Sequence, residues 1–482
     1  MEKAFLEICK ENNVMGASCM VVKNNEIQEC VSYGYANFET KKLMSENVVY
    51  RIASVSKLLV GTCIMQLVEK GKLDLDKDVS EYLGFNLRNP KYPNKVINLK
   101  MVMTHTASIC DGQEAGVNSD KDTGYNSLNG TPEDVYIEDM LIPGRKHFVP
   151  ETFSEYEPGT HYEYSNFCCG ILACILERVE KVYFFDYFKV NVANRLGIKA
   201  SFVSGDMDVE NIGSSYYRDG SLYRSNEKFF NTSVRKRPLG NNYVGPAGGL
   251  YISMADLNKV MNCFMNDGLN LLKKETMDRM LQMTWYGDKS GSCTARGIQF
   301  EILDCFPNKR LYGHFGCAYN VRTFLFFNPI QKLGMLCYLN VGNFKVTENG
   351  ITVVQEAIMK AILDEYWDDD VKMHLTFDYN GEIADLNGRK IEIKYAKEKG
   401  SGRYLDVMTL LDMFSISTQA GKTKLNEQFK DLTFLDAINL DCMDFEYNLI
   451  VDEMFKDDQL NFKKMTQRFE IEYFLKKKRI LN

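Results

Sequence analysis

A serine three residues ahead of a lysine, at the mouth of an apolar run, is one way for a chain to build a nucleophile. The stretch YRIASVSKLLVGTCIMQL, residues 50–67, has this pattern: Ser54 and Lys57 open a segment whose apolar residues recur at helical spacing. Positions i and i+3 share a helix face, so the Lys57 amine can approach the Ser54 hydroxyl from the following turn. A serine hydroxyl is a weak nucleophile at neutral pH and needs such help, to which a helix N-terminus adds a field favourable to developing negative charge. Lys57 can act as a base if burial lowers its pKa, or it can stay protonated and hold a second base as its anion. The competing reading is a capping serine followed by a solvated lysine. Spacing does not separate the two, because Ser225 with Lys228 and Ser233 with Lys236 repeat it in polar, loop-like surroundings. Ser56 points elsewhere on the helix and reads as a bystander.

Two further clusters carry chemistry. In EPGTHYEYSNFCCGILACILERVE, residues 157–180, Tyr164 and Asn166 follow a Pro-Gly turn and precede a strong helix. Side chains two apart in extended backbone point the same way, so both can face one cleft. Tyr164 can shuttle a proton if a cation such as Lys57 lowers its pKa, and Asn166 can donate to a substrate carbonyl. The same pattern recurs at Tyr35, Tyr92 and Tyr338, and its plain alternative is a core aromatic beside a helix cap. In GHFGCAYN, residues 313–320, His314-Phe315-Gly316 is the only His-x-Gly of the chain. Gly316 lets a substrate backbone come close to a strand. The Cys317 N–H can pair with that of Ser54 to form an oxyanion hole. The plain alternative for His314 and Cys317 is a structural role in the core.

These residues need elements to hold them. GASCMVVKNNEIQECVSYGYAN, residues 16–37, reads as two strands joined by a polar turn at 23–25. A helix follows Arg51 and stops at Gly71. Residues 110–160, rich in Gly, Asn, Asp and Pro, predict a long loop-rich insertion over one face. A helix opens just after Tyr164. Another lies in SMADLNKVMNCFMNDG, with Ser253 as N-cap and Asp256 completing a capping box. Four strand-like runs between 297 and 341 lead to a last amphipathic helix at 350–367. The order implies an α+β fold: an antiparallel sheet flanked by helices plus an all-helical lobe. Composition changes at WDDD, 367–370. The expected domains are therefore 1–369 and a small C-terminal mixed α/β accessory domain, 370–482, with a hairpin about Asn387-Gly388.

In this order SVSK, YSN and HFG, with YRIASVSK, LKMVMTHTAS, EPGTHYEYSN and GPAGGLYISMADLNKVM, resemble the serine β-lactamase-like family. That family includes class C β-lactamases, DD-peptidase-type penicillin-binding proteins, and related esterases and D-aminopeptidases. The resemblance spans roughly residues 10–365. It implies the β-lactamase/transpeptidase-like fold and a serine hydrolase in which Ser54 is acylated and water releases the acid. Lys57 and Tyr164 would share the acid/base work, Asn166 would orient the substrate, and the N–H groups of Ser54 and Cys317 would hold the oxyanion. His314 falls where the family most often has the lysine of a Lys-Thr-Gly strand, and Gly316 matches its glycine. Phe315 replaces the hydroxyl residue that helps bind the carboxylate of β-lactams and peptides, and HTAS at 105–108 departs from His-Thr-Ser-Gly. The implied substrate is a small ester, amide or D-amino-acid-containing peptide. The alternatives are an acyltransferase using the same acyl-enzyme, a true β-lactamase, or a catalytically weak binding or sensing protein.

Composition excludes other classes. A chain of 482 residues that is 45% hydrophobic can bury a large core. The net charge of −7 and a pI near 5.6 argue against nucleic acid as a partner. KKKR at 476–479 reads as a solvated tail. No apolar stretch approaches the roughly 20 residues that span a bilayer, so no membrane partner is expected. Glu2, Glu7 and Lys10 interrupt the N-terminal stretch as a secretory signal, which points to a cytoplasmic protein. The 14 cysteines include no C-x-x-C, and the 5 histidines show no close ligand spacing. Neither metal nor other cofactor is expected. The expected partner is a small-molecule or short-peptide substrate, with homo-oligomerisation left open.

Overall fold

Asn24 and Asn25 adopt φ of 54° and 67°, the left-handed pair that a two-residue hairpin turn requires. They join β1 (Gly16–Lys23) to β2 (Glu26–Asn37), paired antiparallel from Gly16 opposite Gly34 to Lys23 opposite Glu26. The computed structural model describes residues 1–112, 123–128, 135–230, 237–290, 293–306, 309–371, 373–377, 383–399, 402–405, 409, 412–413 and 469–473. In it this hairpin belongs to a nine-stranded antiparallel sheet. The other strands are β3 (Lys42–Leu43), β4 (Trp285–Ser290), β5 (Cys293–Arg296), β6 (Glu301–Phe306), β7 (Lys309–Ala318), β8 (Val321–Asn328) and β9 (Leu333–Leu339), and the spatial order is β3-β2-β1-β9-β8-β7-β6-β5-β4. The four strand runs expected between 297 and 341 are β6 to β9. The edge strand β4 and its neighbour β5 were not expected.

Period-two alternation sends the side chains of each central strand to two different cores. Leu325 and Phe327 of β8 join the larger core with α2 (Ser56–Glu69), α3 (Asn166–Glu180) and α4 (Met254–Met265). Phe324 and Phe326 join the smaller core with α1 (Glu2–Glu11) and α5 (Val353–Tyr366). Helices therefore cover both faces of the sheet. Helix α2 is buried from Ser56 to Leu67, an all-round apolar helix at the centre of the molecule. Helix α1 was not expected either; it holds itself to the sheet through Phe5 and Cys9, one turn apart.

Three local expectations need correction. The Ser253 hydroxyl caps α4 by accepting the Asp256 N–H at 3.2 Å, but no capping box closes, because the Asp256 carboxylate accepts the Lys199 N–H at 3.0 Å instead. The 110–160 stretch is not only loop: it carries the short helix Ile137–Leu141 and 3-10 turns at Gly124–Leu128 and Pro150–Thr152. Ser54 does not sit on the α-helix itself but in a 3-10 turn, Ala53–Val55, that feeds into α2. The repeat at Ser233 and Lys236, the basic run at 476–479 and most of 414–482 lie outside the described residues.

Past residue 370, Asn387 and Gly388 turn with φ of 51° and 87° between the antiparallel strands Ile383–Leu386 and Arg389–Glu392. This hairpin rests on the region before β4 and on β7. Gln282 Nε2 donates to the Glu392 carbonyl at 2.8 Å. The fully buried Asp412 carboxylate accepts from Arg389 at 2.7 Å, Arg310 at 3.3 Å and the Met283 N–H at 3.0 Å. Among the described residues, no helix is long and apolar enough to cross a membrane.

Candidate active site

The strand Val49–Arg51 runs into the Ser54 turn, and backbone contacts on both sides fix that turn. The Ile52 N–H donates to the Leu250 carbonyl at 2.9 Å, and the Ile52 carbonyl accepts the Thr323 hydroxyl, also at 2.9 Å. Strand β7 crosses directly over the turn at Gly316. A Cβ there would lie 2.1 Å from Thr323 Oγ1 and 2.3 Å from the Ile52 carbonyl oxygen, so only glycine allows the approach. Ser56, read as a bystander, braces the turn: its hydroxyl donates to the Ala53 carbonyl at 2.6 Å and accepts the Leu250 N–H at 3.2 Å.

The residues singled out for chemistry converge on Ser54. Lys57 Nζ donates to Ser54 Oγ at 3.0 Å, and the Tyr164 hydroxyl donates to the same oxygen at 2.9 Å. Lys57 Nζ also donates to Asn166 Oδ1 and to the Ala247 carbonyl, each at 2.8 Å, and stands 4.9 Å from the centre of the Tyr164 ring. The two decoy patterns behave differently: the Ser225 hydroxyl accepts the Lys228 N–H at 3.2 Å, an ordinary helix cap, while Tyr338 is buried in the core. Asn166 is the first residue of α3 and not its cap, a role taken by Ser165, whose hydroxyl accepts the Cys168 N–H at 3.1 Å.

Burial sets the electrostatics. Removal from water lowers the Lys57 pKa, with the nearby Arg51 charge acting in the same direction. The same burial raises the Tyr164 phenol well above its ordinary range, even though its bond to Ser54 works the other way. The expectation that a cation would lower Tyr164 is therefore corrected: desolvation wins, and the phenol keeps its proton. Burial thus eases loss of the Lys57 proton, while the three hydrogen bonds its nitrogen donates belong to the ammonium form.

His314 lies in β7 and is buried, its pKa pushed down to about 4 by desolvation against the opposing pull of Glu301. It is neutral at pH 7, and its Nδ1–H donates to the Phe315 carbonyl at 2.5 Å. Its ring stands 6.2 Å from that of Tyr164. Phe315 turns to the opposite face, packing at 4.7 Å on Phe326. Cys317, one residue past Gly316, is exposed at the rim.

Sequence reasoning missed the group that orients Asn166. The Asp111 carboxylate accepts from the Asn166 N–H at 3.0 Å, Asn166 Nδ2 at 2.8 Å, the Phe167 N–H at 2.8 Å and the Ser165 hydroxyl at 2.9 Å. With Nδ2 committed to Asp111, Oδ1 must face Lys57. His105, in the altered HTAS turn, accepts the Ser165 N–H at 3.2 Å through Nδ1 and lies 5.0 Å from the Tyr164 ring. Burial holds it neutral as well. Among the described residues, no group of three or more His, Cys, Asp or Glu could hold a metal ion.

This chain has relatives. The protein flp of Staphylococcus aureus (strain N315) is 23% identical to it over 349 residues, covering 71% of this chain and 63% of that protein; the chain thus spans less than two thirds of the relative's length. Among solved structures, the octameric penicillin-binding protein homologue from Pyrococcus abyssi superposes with a TM-score of 0.56 at 20% identity, covering 83% of this chain and 85% of that one. The D-amino acid amidase from Ochrobactrum anthropi SV3 gives a TM-score of 0.58 at 17% identity, covering 75% and 98%. At these identities the structures share the fold. A family model described as Beta-lactamase matches residues 1–356, and the chain belongs to that family.

Proposed function

We propose that the chain is a serine hydrolase working through an acyl-enzyme at Ser54 on a small ester, amide or D-amino-acid-containing peptide. The supporting observation is that Ser54 Oγ is held at once by Lys57 at 3.0 Å and by Tyr164 at 2.9 Å. Lys57, once the resting ammonium has given up one proton, takes the hydroxyl proton as Oγ bonds to the substrate carbonyl carbon. The negative charge that develops on the carbonyl oxygen is met by the N–H groups of Ser54 and Cys317. The bond to the leaving group then breaks, and Tyr164, which shares Ser54 Oγ with Lys57, passes the proton on. Water attacks the ester by the reverse sequence and releases the acid. An alcohol or amine in place of water turns the same steps into acyl transfer. Asn166 orients the substrate carbonyl side, fixed by Asp111.

A neutral His314 next to Phe315 provides no cation and no hydroxyl for the carboxylate of a β-lactam, so β-lactams rank last among the substrates. We read residues 1–369 as the hydrolase domain, 370–482 as an accessory region, and the cytoplasm as its compartment. Self-association is also proposed, by analogy with the octameric homologue. The test is labelling: a fluorophosphonate probe should modify the wild type and leave Ser54→Ala unmodified. A screen of p-nitrophenyl esters, D- and L-aminoacyl anilides and nitrocefin then ranks substrates. A folded protein whose Ser54 resists every acylating probe would end the hydrolase reading.

A further inference from the structure

Backbone strain brackets the two N–H groups that would meet the oxyanion. Ala53, immediately before Ser54, has φ of 49°, and Tyr319, two residues past Cys317, has φ of 52°. Tyr319 and Asn320, the latter with φ of 58°, form the two-residue turn between β7 and β8, since Ala318 stands opposite Val321. Such a turn favours Asn, Asp or Gly at both positions, and a bulky aromatic in the left-handed region is strained. Strain of this kind persists only where the surrounding contacts over-determine it.

At Tyr319 those contacts come from separate segments. The guanidinium carbon of Arg51 stands 4.8 Å from the centre of the Tyr319 ring, and that of Arg224 stands 3.9 Å from the same centre. Phe229 meets the ring edge-on at 6.3 Å. The backbone of the turn is pinned as well: the Ser215 hydroxyl donates to the Tyr319 carbonyl at 2.8 Å, and Asn320 Nδ2 donates to the Tyr216 carbonyl at 3.3 Å. Arg51 ends the strand Val49–Arg51 and lies three residues before Ser54. Its grip on Tyr319 therefore joins the segment that carries the Ser54 N–H to the strand end that carries the Cys317 N–H. Thr323, which bonds the Ile52 carbonyl, stands opposite Gly316, so that tie and the close approach at Gly316 act at one level of the sheet, before Cys317. Tyr319 supplies a tie beyond it.

We propose that Tyr319, held by Arg51, is a positioning residue that fixes the spacing of the Ser54 and Cys317 N–H groups and so keeps the oxyanion hole formed before substrate arrives. The inference rests on the reading of Ser54 as the acylated residue. Donors aimed in advance at a developing oxyanion stabilise it most, because they need no rearrangement during the reaction. A strand end beside a tight turn is among the parts of a fold that open most readily. Guanidinium groups packed on the one aromatic ring of that turn oppose the opening. Tyr319 thus meets two contrary demands: the backbone there favours glycine, and the grip requires a ring.

Tyr319→Gly relieves the left-handed strain and removes the ring, whereas Tyr319→Phe keeps the ring. In single-turnover acylation by p-nitrophenyl acetate, Tyr319→Gly should lower the acylation rate constant at least about tenfold and leave the dissociation constant of the ester within about twofold, because the oxyanion is met only beyond the ground state. Tyr319→Phe should stay within about threefold of the wild type. In an Arg51→Gln background the same Tyr319→Gly change should have a clearly smaller effect, a comparison that cancels whatever Arg51 does to Lys57 on its own. Amide hydrogen exchange reads the same tie without any chemistry: peptides covering residues 309–318 should exchange at least about tenfold faster in Tyr319→Gly and at the wild-type rate in Tyr319→Phe. A turn that merely closes the hairpin would be improved by glycine. Unchanged or slower exchange in Tyr319→Gly, unchanged acylation, or an equal effect in both Arg51 backgrounds therefore overturns the proposal. If exchange responds as expected but no ester acylates the wild type, Tyr319 still fixes the two N–H groups and it is the hydrolase reading that falls.

Discussion

Ser54, Lys57, Tyr164 and Asn166 were legible in the sequence because each begins or precedes a strongly apolar helix, and the structure brings all four together. Asp111 was not legible. It lies in a loop-rich stretch with no periodicity, and its four bonds reach helix α3 across 54 to 56 residues. Such a contact is specified by tertiary packing, which leaves no trace in local spacing. His314 was legible by position, but its charge state was set by burial alone. That burial has a consequence for pH. The unfolded chain protonates His314 below its ordinary pKa of 6.5, whereas the folded one resists until about 4. The stability this confers is full above pH 6.5 and drains away as pH falls from there towards 4. It amounts to a contribution on the order of 3 kcal/mol over the whole window. Chemical denaturation followed across that range should show a shallower loss in His314→Gln than in the wild type. Equal slopes would mean that His314 is not held neutral.

At the scale of elements, the hairpin of β1 and β2, the three central helices and β6 to β9 could be read from turn chemistry and apolar period. What escaped were elements whose pattern is weak or mixed: α1 is short and heavily charged, β5 is only four residues long, and β4 lies at the sheet edge, where one flank needs no partner. The seating of the Ser54 turn under β7 was invisible too, since Gly316 could be assigned to substrate access as readily as to packing. The structure assigns it to packing. In Gly316→Ala the methyl group would fall 2.3 Å from the Ile52 carbonyl oxygen, so strand and turn must separate. Fluorophosphonate labelling of Ser54 should drop by about tenfold or more, with a stability loss of about 1–3 kcal/mol typical of overpacking. Pairing that substitution with Thr323→Ala, which removes the nearest atom at 2.1 Å, should recover part of both. Labelling at the wild-type rate would show that the turn has slack.

For the whole molecule, the composition change near 370 suggested a boundary, and the structure shows how strongly the residues beyond it are tied to those before. Asp412 is fully buried between Arg310 and Arg389. Removing one partner of a buried ion pair leaves an uncompensated charge and costs about 3–5 kcal/mol. Asp412→Ala should therefore unfold at clearly lower denaturant than the wild type in the same transition that unfolds the nine-stranded sheet and its helices. A separate, earlier transition confined to the C-terminal residues would instead mark an independent unit. No local pattern could have announced this contact, which joins β7 to a residue 102 positions downstream. It matters most while the protein is being made. Strand β1 waits for β9 to complete the centre of the sheet, and Asp412, which leaves the ribosome later still, then joins Asp304 as a second carboxylate beside Arg310. Until residue 412 has emerged from the exit tunnel, the contact that ties the C-terminal residues to β7 cannot form, so the final closure of this part of the fold comes late in synthesis.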